Sequence, residues 1–166
     1  MRMRSLLIGV ALTSIALSLA ACGSSGGNKA SATAQREASL YEIDQIERTW
    51  HRAASRHDLD LMMSIWAPNA TFTIGGKTVS GRAAIRQLLA AAGPFQPENH
   101  WVSDTPAYKI RTTVNGDKGT LYFECHYIDV KTRTVKPLVG ADQDVQKIDG
   151  KWLIVNSVAA SPTLKP

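Results

Sequence analysis

Cysteine is almost missing from this chain: two in 166 residues, Cys22 and Cys125. That excludes a small scaffold stapled by several disulfides, so the domain must be held by its core, which is feasible at this length. Charge of one sign never clusters. Lys and Arg number 19 against 14 Asp and Glu, with no run of five or more and no basic stripe. A nucleic-acid partner is therefore not expected. The sequence also lacks a glycine-rich phosphate loop, a Gly-x-Ser-x-Gly elbow, an internal repeat and any Cys/His spacing that suits a metal. ATP, nicotinamide and metal chemistry lose their usual signatures with those absences, and no cofactor is expected.

The one uncharged apolar run is 6–21, preceded by Arg2 and Arg4. It is short and only moderately apolar for a bilayer span of roughly 30 Å. A positive start, an apolar middle and small residues at the end read as a secretory signal. Leu19-Ala20-Ala21-Cys22 resembles the lipobox of bacterial lipoproteins, in which the cysteine thiol takes a diacylglycerol and cleavage falls just before it. Residues 1–21 are therefore expected to be a lipoprotein signal peptide, and Cys22 the lipidated (palmitate-bearing) N-terminus, a membrane anchor on the extracytoplasmic side of the cell envelope. With Cys22 so used, no intramolecular disulfide remains. The Gly- and Ser-rich stretch after it makes 22–37 a flexible tether. The domain proper is expected over 38–160, with a tail at 161–166.

Within the domain, apolar Ile43, Ile46, Trp50, Ala53 and Ala54 recur at helical steps over 39–57, with Glu47 and His51 counted among the polar positions. Asp58 caps a short second helix over 59–66. Residues 70–74 and 77–80 form a hairpin around Gly75-Gly76, and Gly81 opens a third helix over 82–92. The second half is β: strands over 100–103, 107–114, 119–130, 134–148 and 151–157, with hairpin turns at Asn115-Gly116-Asp117 and Asp149-Gly150. The expected fold class is α+β, three N-terminal helices on one face of a curved, mostly antiparallel sheet. Parity along 119–130 puts Leu121, Phe123, Cys125 and Tyr127 on the face toward the helices. Tyr122, Glu124, His126 and Ile128 fall on the other face, a mixed surface that suits a partner subunit or solvent.

Three strings then resemble one family. Ile46 to Trp50, His57-Asp58-Leu59-Asp60 and Ile65-Trp66-Ala67-Pro68-Asn69-Ala70-Thr71-Phe72 form the first; Gly81-Arg82-Ala83-Ala84-Ile85 the second; Asp149-Gly150-Lys151-Trp152-Leu153-Ile154 the third. In this order and spacing they resemble the SnoaL-like branch of the nuclear transport factor 2-like superfamily, the cone fold of ketosteroid isomerase and scytalone dehydratase. The resemblance implies a cone-shaped pocket between sheet and helices, apolar with a few polar groups inside. It does not bring one function with it.

Ketosteroid isomerase uses an Asp base and an oxyanion hole of Tyr and protonated Asp. Carried over by spacing, the tyrosine falls on Trp50, the base on Ile74 and the oxyanion-hole Asp on Asp144. Ile74 cannot take a proton, so ketosteroid isomerase activity is not expected. Asp144 is a candidate polar anchor or acid/base, provided that its strand face is the concave one. His100 is the second candidate, with Asp104 or Asp144 to orient it. Trp50, Trp66, Phe72, Phe123 and Tyr127 are the expected pocket lining, together with Asp144. His51, His57 and His126 carry no expected role, Cys125 is expected as a small buried apolar residue, and no metal site is expected. The favoured function is an envelope-anchored domain binding a small apolar ligand in its cone. A cofactor-independent lyase or isomerase using His100 and Asp144 stands beside it, as does a protein-interaction or homodimerisation module.

Overall fold

The computed structural model describes residues 25–103 and 109–161. The signal segment 1–21, Cys22 and Asp104 lie outside the described residues. The architecture is α+β, a helix packed on a mostly antiparallel sheet. In chain order the elements are α1 (Ser25–Ser55), α2 (Leu59–Met63), β1 (Trp66–Ile74), β2 (Lys77–Ser80), α3 (Arg82–Ala90), a 3-10 turn (Gly93–Phe95), β3 (Trp101–Ser103), β4 (Ile110–Asn115), β5 (Lys118–Asp129), β6 (Thr134–Ile148) and β7 (Lys151–Ala160). The strands form one sheet in the order β2-β1-β7-β6-β5-β3, with β4 also paired to β5. Only β1 and β7 run parallel; the other pairs are antiparallel.

Several boundaries differ from the sequence expectation, two of them at helices that shape the core. α1 starts at Ser25, inside the segment read as a tether, although its residues from Lys29 to Ala38 are exposed and only from Ser39 onward does it bury side chains. α2 stops at Met63, because Trp66 is drawn into β1 by its pairing with Ile154 of β7. Asp58 caps α2 as expected, its Oδ1 accepting from the Leu61 N–H at 2.8 Å.

The core lies between α1 and the sheet. Ile43, Ile46, Trp50, Ala53 and Ala54 of α1 meet Leu121, Phe123, Cys125 and Tyr127 of β5, all buried. The parity expected for β5 is the parity observed. On β6 the buried residues are Gly140, Ala141, Gln143 and Val145, while Asp142 and Asp144 are exposed. A bulge between Asp144 and Val145, against β7, places one extra residue on β7. Inward positions there pass from Trp152 and Ile154 to Ser157 and Ala159.

Candidate functional site

The first-half aromatics converge on one point. The Trp50 ring lies 5.8 Å from Trp66, 6.3 Å from Phe72 and 5.7 Å from Phe123, centroid to centroid, and Trp66 lies 5.3 Å from Phe72. Trp50 Nε1–H donates to the Tyr127 hydroxyl at 3.4 Å. The five aromatic residues expected to line the pocket are thus gathered between α1 and the sheet, edge to face and tilted, as aromatic quadrupoles prefer.

Asp144 does not join them. It is exposed on the outer face, where its Oδ2 accepts from Asn156 Nδ2 at 3.0 Å. The inward residue is its neighbour Gln143. Counting back from the hairpin glycine lands one position off, and in a strand one position reverses the face. The pairing of His100 with Asp144 is also excluded. Asp144 sits opposite Thr120 near the start of β5, whereas Trp101, next to His100, sits opposite Asp129 at its end. Nine residues of strand separate them, roughly 30 Å.

Three polar groups are buried against the aromatic cluster with no hydrogen-bond partner among the described residues: the Gln143 side-chain amide, the Ser157 hydroxyl and the Trp66 indole N–H. Gln143 is opposite Ser157 across β6 and β7, and Ser157 is opposite Phe72 across β7 and β1. Gln143 and Ser157 thus form one polar spot on an otherwise apolar face. Buried polar groups are almost always bonded, so a cluster of exceptions asks for an occupant.

On the other side of Trp50 lies an arrangement that the sequence reading missed. His51 Nε2 is 3.0 Å from Cys125 Sγ, and His51 Nδ1 is 3.1 Å from Glu47 Oε1. All three residues are buried, Glu47 and His51 completely. His51 is therefore not off the apolar stripe, and Cys125 is not merely an apolar filler. The signal was present: 43, 47, 50, 51 and 54 form one helical line, so Glu47 and His51 had to be in the core with Ile43 and Ala54. Burial pushes the Cys125 thiol well up, despite nearby Ser103 and Tyr127. The thiol stays protonated, and the imidazole is held between it and the Glu47 carboxyl. A protonated, buried thiol is a poor nucleophile. Burial likewise raises the Tyr127 hydroxyl well above its ordinary value, so it can donate a hydrogen bond but not take a proton.

The outer face of β5 is mixed for an internal reason. Arg111 lies over the Tyr122 ring, 4.3 Å from its centroid, and the Tyr122 hydroxyl donates to Glu124 Oε1 at 2.8 Å. Burial, with the Glu124 carboxylate beside it, raises Tyr122 to about 12. Lys109 Nζ stands 3.3 Å from the same carboxylate.

A family model described as a SnoaL-like domain matches residues 47–153. No curated protein matches the chain. Among solved structures, an NTF2-like protein with a cystatin-like fold from Novosphingobium aromaticivorans is similar with a TM-score of 0.73 at 16% identity, covering 86% of this chain and 94% of that one. A candidate dehydratase of the NTF2-like family from Streptomyces avermitilis is similar at TM-score 0.61 and 16% identity, over 78% of this chain and 99% of its own. A candidate ketosteroid isomerase from Shewanella frigidimarina follows at 0.58 and 14%, over 70% and 92%. At such identities the likeness concerns the fold alone.

Proposed function

The chain belongs to the SnoaL-like domain family, and from that premise we propose that it is a lipid-anchored envelope protein whose cone binds a small, mainly apolar molecule through one polar group. The observation that carries this is the orphaned trio of Gln143, Ser157 and Trp66 beside the aromatic cluster. An amide, a hydroxyl and an indole N–H supply donors, and aromatic faces supply the rest. That is the composition of a site for a hydrophobic body bearing a carbonyl or hydroxyl oxygen. The lipobox at Cys22 supports the anchored location.

Catalysis is the weaker reading. His51 meets the aromatic cluster, its ring 5.6 Å from that of Phe123. The spacing-matched base position holds Ile74, and His51 Nε2 is engaged by the Cys125 thiol. Asp144 faces away.

The test uses the chain carrying Cys22→Ser, incubated with a lipid and metabolite extract of bacterial envelope and sprayed under native conditions. A discrete added mass per subunit is expected. Gln143→Leu should remove most of it while leaving the ligand-free fold at least as stable, because an unbonded buried amide is replaced by an apolar group of similar size. An absent adduct, or one indifferent to Gln143→Leu, sinks the proposal.

A further inference from the structure

On the face of the sheet turned away from α1, contacts within the molecule answer Tyr122, Glu124 and Lys109, and Asn156 answers Asp144. Two opposite charges are left over. Arg111 on β4 and Asp142 on β6 are exposed, and neither makes an ion pair with any described residue. Both are in register with one residue of the strand between them: Arg111 sits opposite Tyr122, and Tyr122 opposite Asp142. One row across three strands therefore reads cation, tyrosine, anion, with all three side chains on the same face. The backbones of β4 and β6 stand about 9–10 Å apart, and the two charges do not meet within the molecule. With Tyr122 they line a depression of about 300 Å³. The row below it reads Thr113, Thr120, Asp144, so β6 presents two acids where β4 presents none.

We propose that this face takes a second copy of the chain, with Arg111 of each subunit paired to the partner's Asp142 about a two-fold axis that runs along β5. A two-fold contact uses the same patch on both subunits, so the patch must be its own complement. When two sheets meet through the same face, that axis lies in the plane between them. An axis across the strands lays each strand on its own copy. Arg111 then faces β4 of the partner, and the acids of β6 face each other, an arrangement that repels. An axis along β5 lays β4 on the partner's β6 instead. Arg111 then meets the partner's Asp142 twice over, Thr113 meets the partner's Asp144, and the two Tyr122 rings meet at the axis. Strands within about 30° of parallel are the common way for two sheets to pack. The charge pattern thus selects one register, and a guanidinium fork suits the carboxylate it finds there. The aromatic chamber lies on the opposite face of the sheet, so this interface leaves it free.

The full chain is extracted in dodecyl maltoside, with micelles in large excess over protein, and weighed by native mass spectrometry at micromolar concentration. A dimer is expected. Arg111→Asp sets acid against acid at both contacts, and Asp142→Arg sets base against base. Each should weaken the dimer at least about a hundred-fold and leave monomer. Mixed in equal amounts, the two variants regain opposite charges at both contacts, so a dimer holding one of each is expected. The double variant Arg111→Asp/Asp142→Arg should dimerise by itself. Recovery in the mixture also shows that both single variants are folded. Should a reversal disturb the fold, Arg111→Gln and Asp142→Asn remove attraction without adding repulsion, and each should weaken the dimer about ten-fold. A monomeric unmodified chain overturns the interface. So does a dimer indifferent to these changes. Single variants that keep the near-ultraviolet circular dichroism of the unmodified protein yet form no mixed dimer overturn the pairing of Arg111 with Asp142.

Discussion

A buried carboxylate, imidazole and thiol in a row make an expensive arrangement unless each member answers the next. Glu47, His51 and Cys125 do so at 3.1 and 3.0 Å, all three buried. The members are not equal. Removing His51 strips both neighbours at once and leaves a buried carboxyl facing a hole. His51→Ala should lower the unfolding free energy by about 3–5 kcal/mol, from the cavity left by a buried ring together with the carboxyl contact it removes. Cys125→Ala loses one weak S–H donor and a little volume, so about 1–2 kcal/mol is expected. Urea unfolding of both variants measures the difference. Equal, small losses would show that the imidazole is solvated in solution and that the row is not a buried unit. This trio is also where sequence reading was least effective. Glu and His are mostly surface residues, and four-residue spacing on a helix is usually a solvated pair. Polar type outweighed position, when position was the better guide.

Strands, by contrast, disclosed themselves wherever their residues alternated. β5 was legible in full, down to which four side chains face the helix, because Leu121, Phe123 and Cys125 leave no doubt about the buried side. β6 alternates polar with polar: Asp142, Gln143 and Asp144 are all hydrophilic, so its face was set by a count from the hairpin, and the count was one residue out. The hairpin itself was clear, Asp149 and Gly150 both taking the positive φ that a two-residue turn wants. What no periodicity discloses is how closely α1 approaches the sheet, and Gly119 fixes that. A methyl group there would collide with the Thr113 carbonyl oxygen and crowd Ile43 Cδ1 at 3.1 Å and Val145 Cγ2 at 3.3 Å. One wall is backbone and cannot yield. Gly119→Ala should therefore destabilise by about 1–3 kcal/mol, as overpacking does, although alanine is no worse than glycine for a strand. Thermal unfolding beside Gly76→Ala, whose Cβ would meet nothing within 4 Å but whose φ is +76°, separates crowding from backbone strain. If Gly119→Ala melts with the unmodified protein, β4 and α1 can both give way around position 119 and the close packing there is not rigid.

For the molecule as a whole, the question is what holds it to a membrane. No helix among the described residues is long and apolar enough to cross one. α1 between Lys29 and Ala38 is exposed and largely polar, with Arg36 and Glu37 paired to each other at 2.8 Å, so this stretch offers no apolar face for a bilayer. Attachment on the proposed reading rests on the acyl chains at Cys22. Each buried CH₂ contributes about 0.8 kcal/mol, so two or more chains hold firmly where one alone exchanges. The full chain, made in a bacterium that processes lipoproteins, should pellet with membranes, resist high salt and carbonate, and come off in detergent. Cys22→Ser should move it to the soluble fraction with its fold unchanged, as read by the near-ultraviolet circular dichroism of the four tryptophans. Retention of Cys22→Ser that salt reverses would locate the attachment in basic residues, the arginines of α1 first among them. Retention that salt does not reverse would mean that the uncleaved segment 6–21 is itself the anchor, and the lipoprotein reading would fall while the binding domain behind it stood.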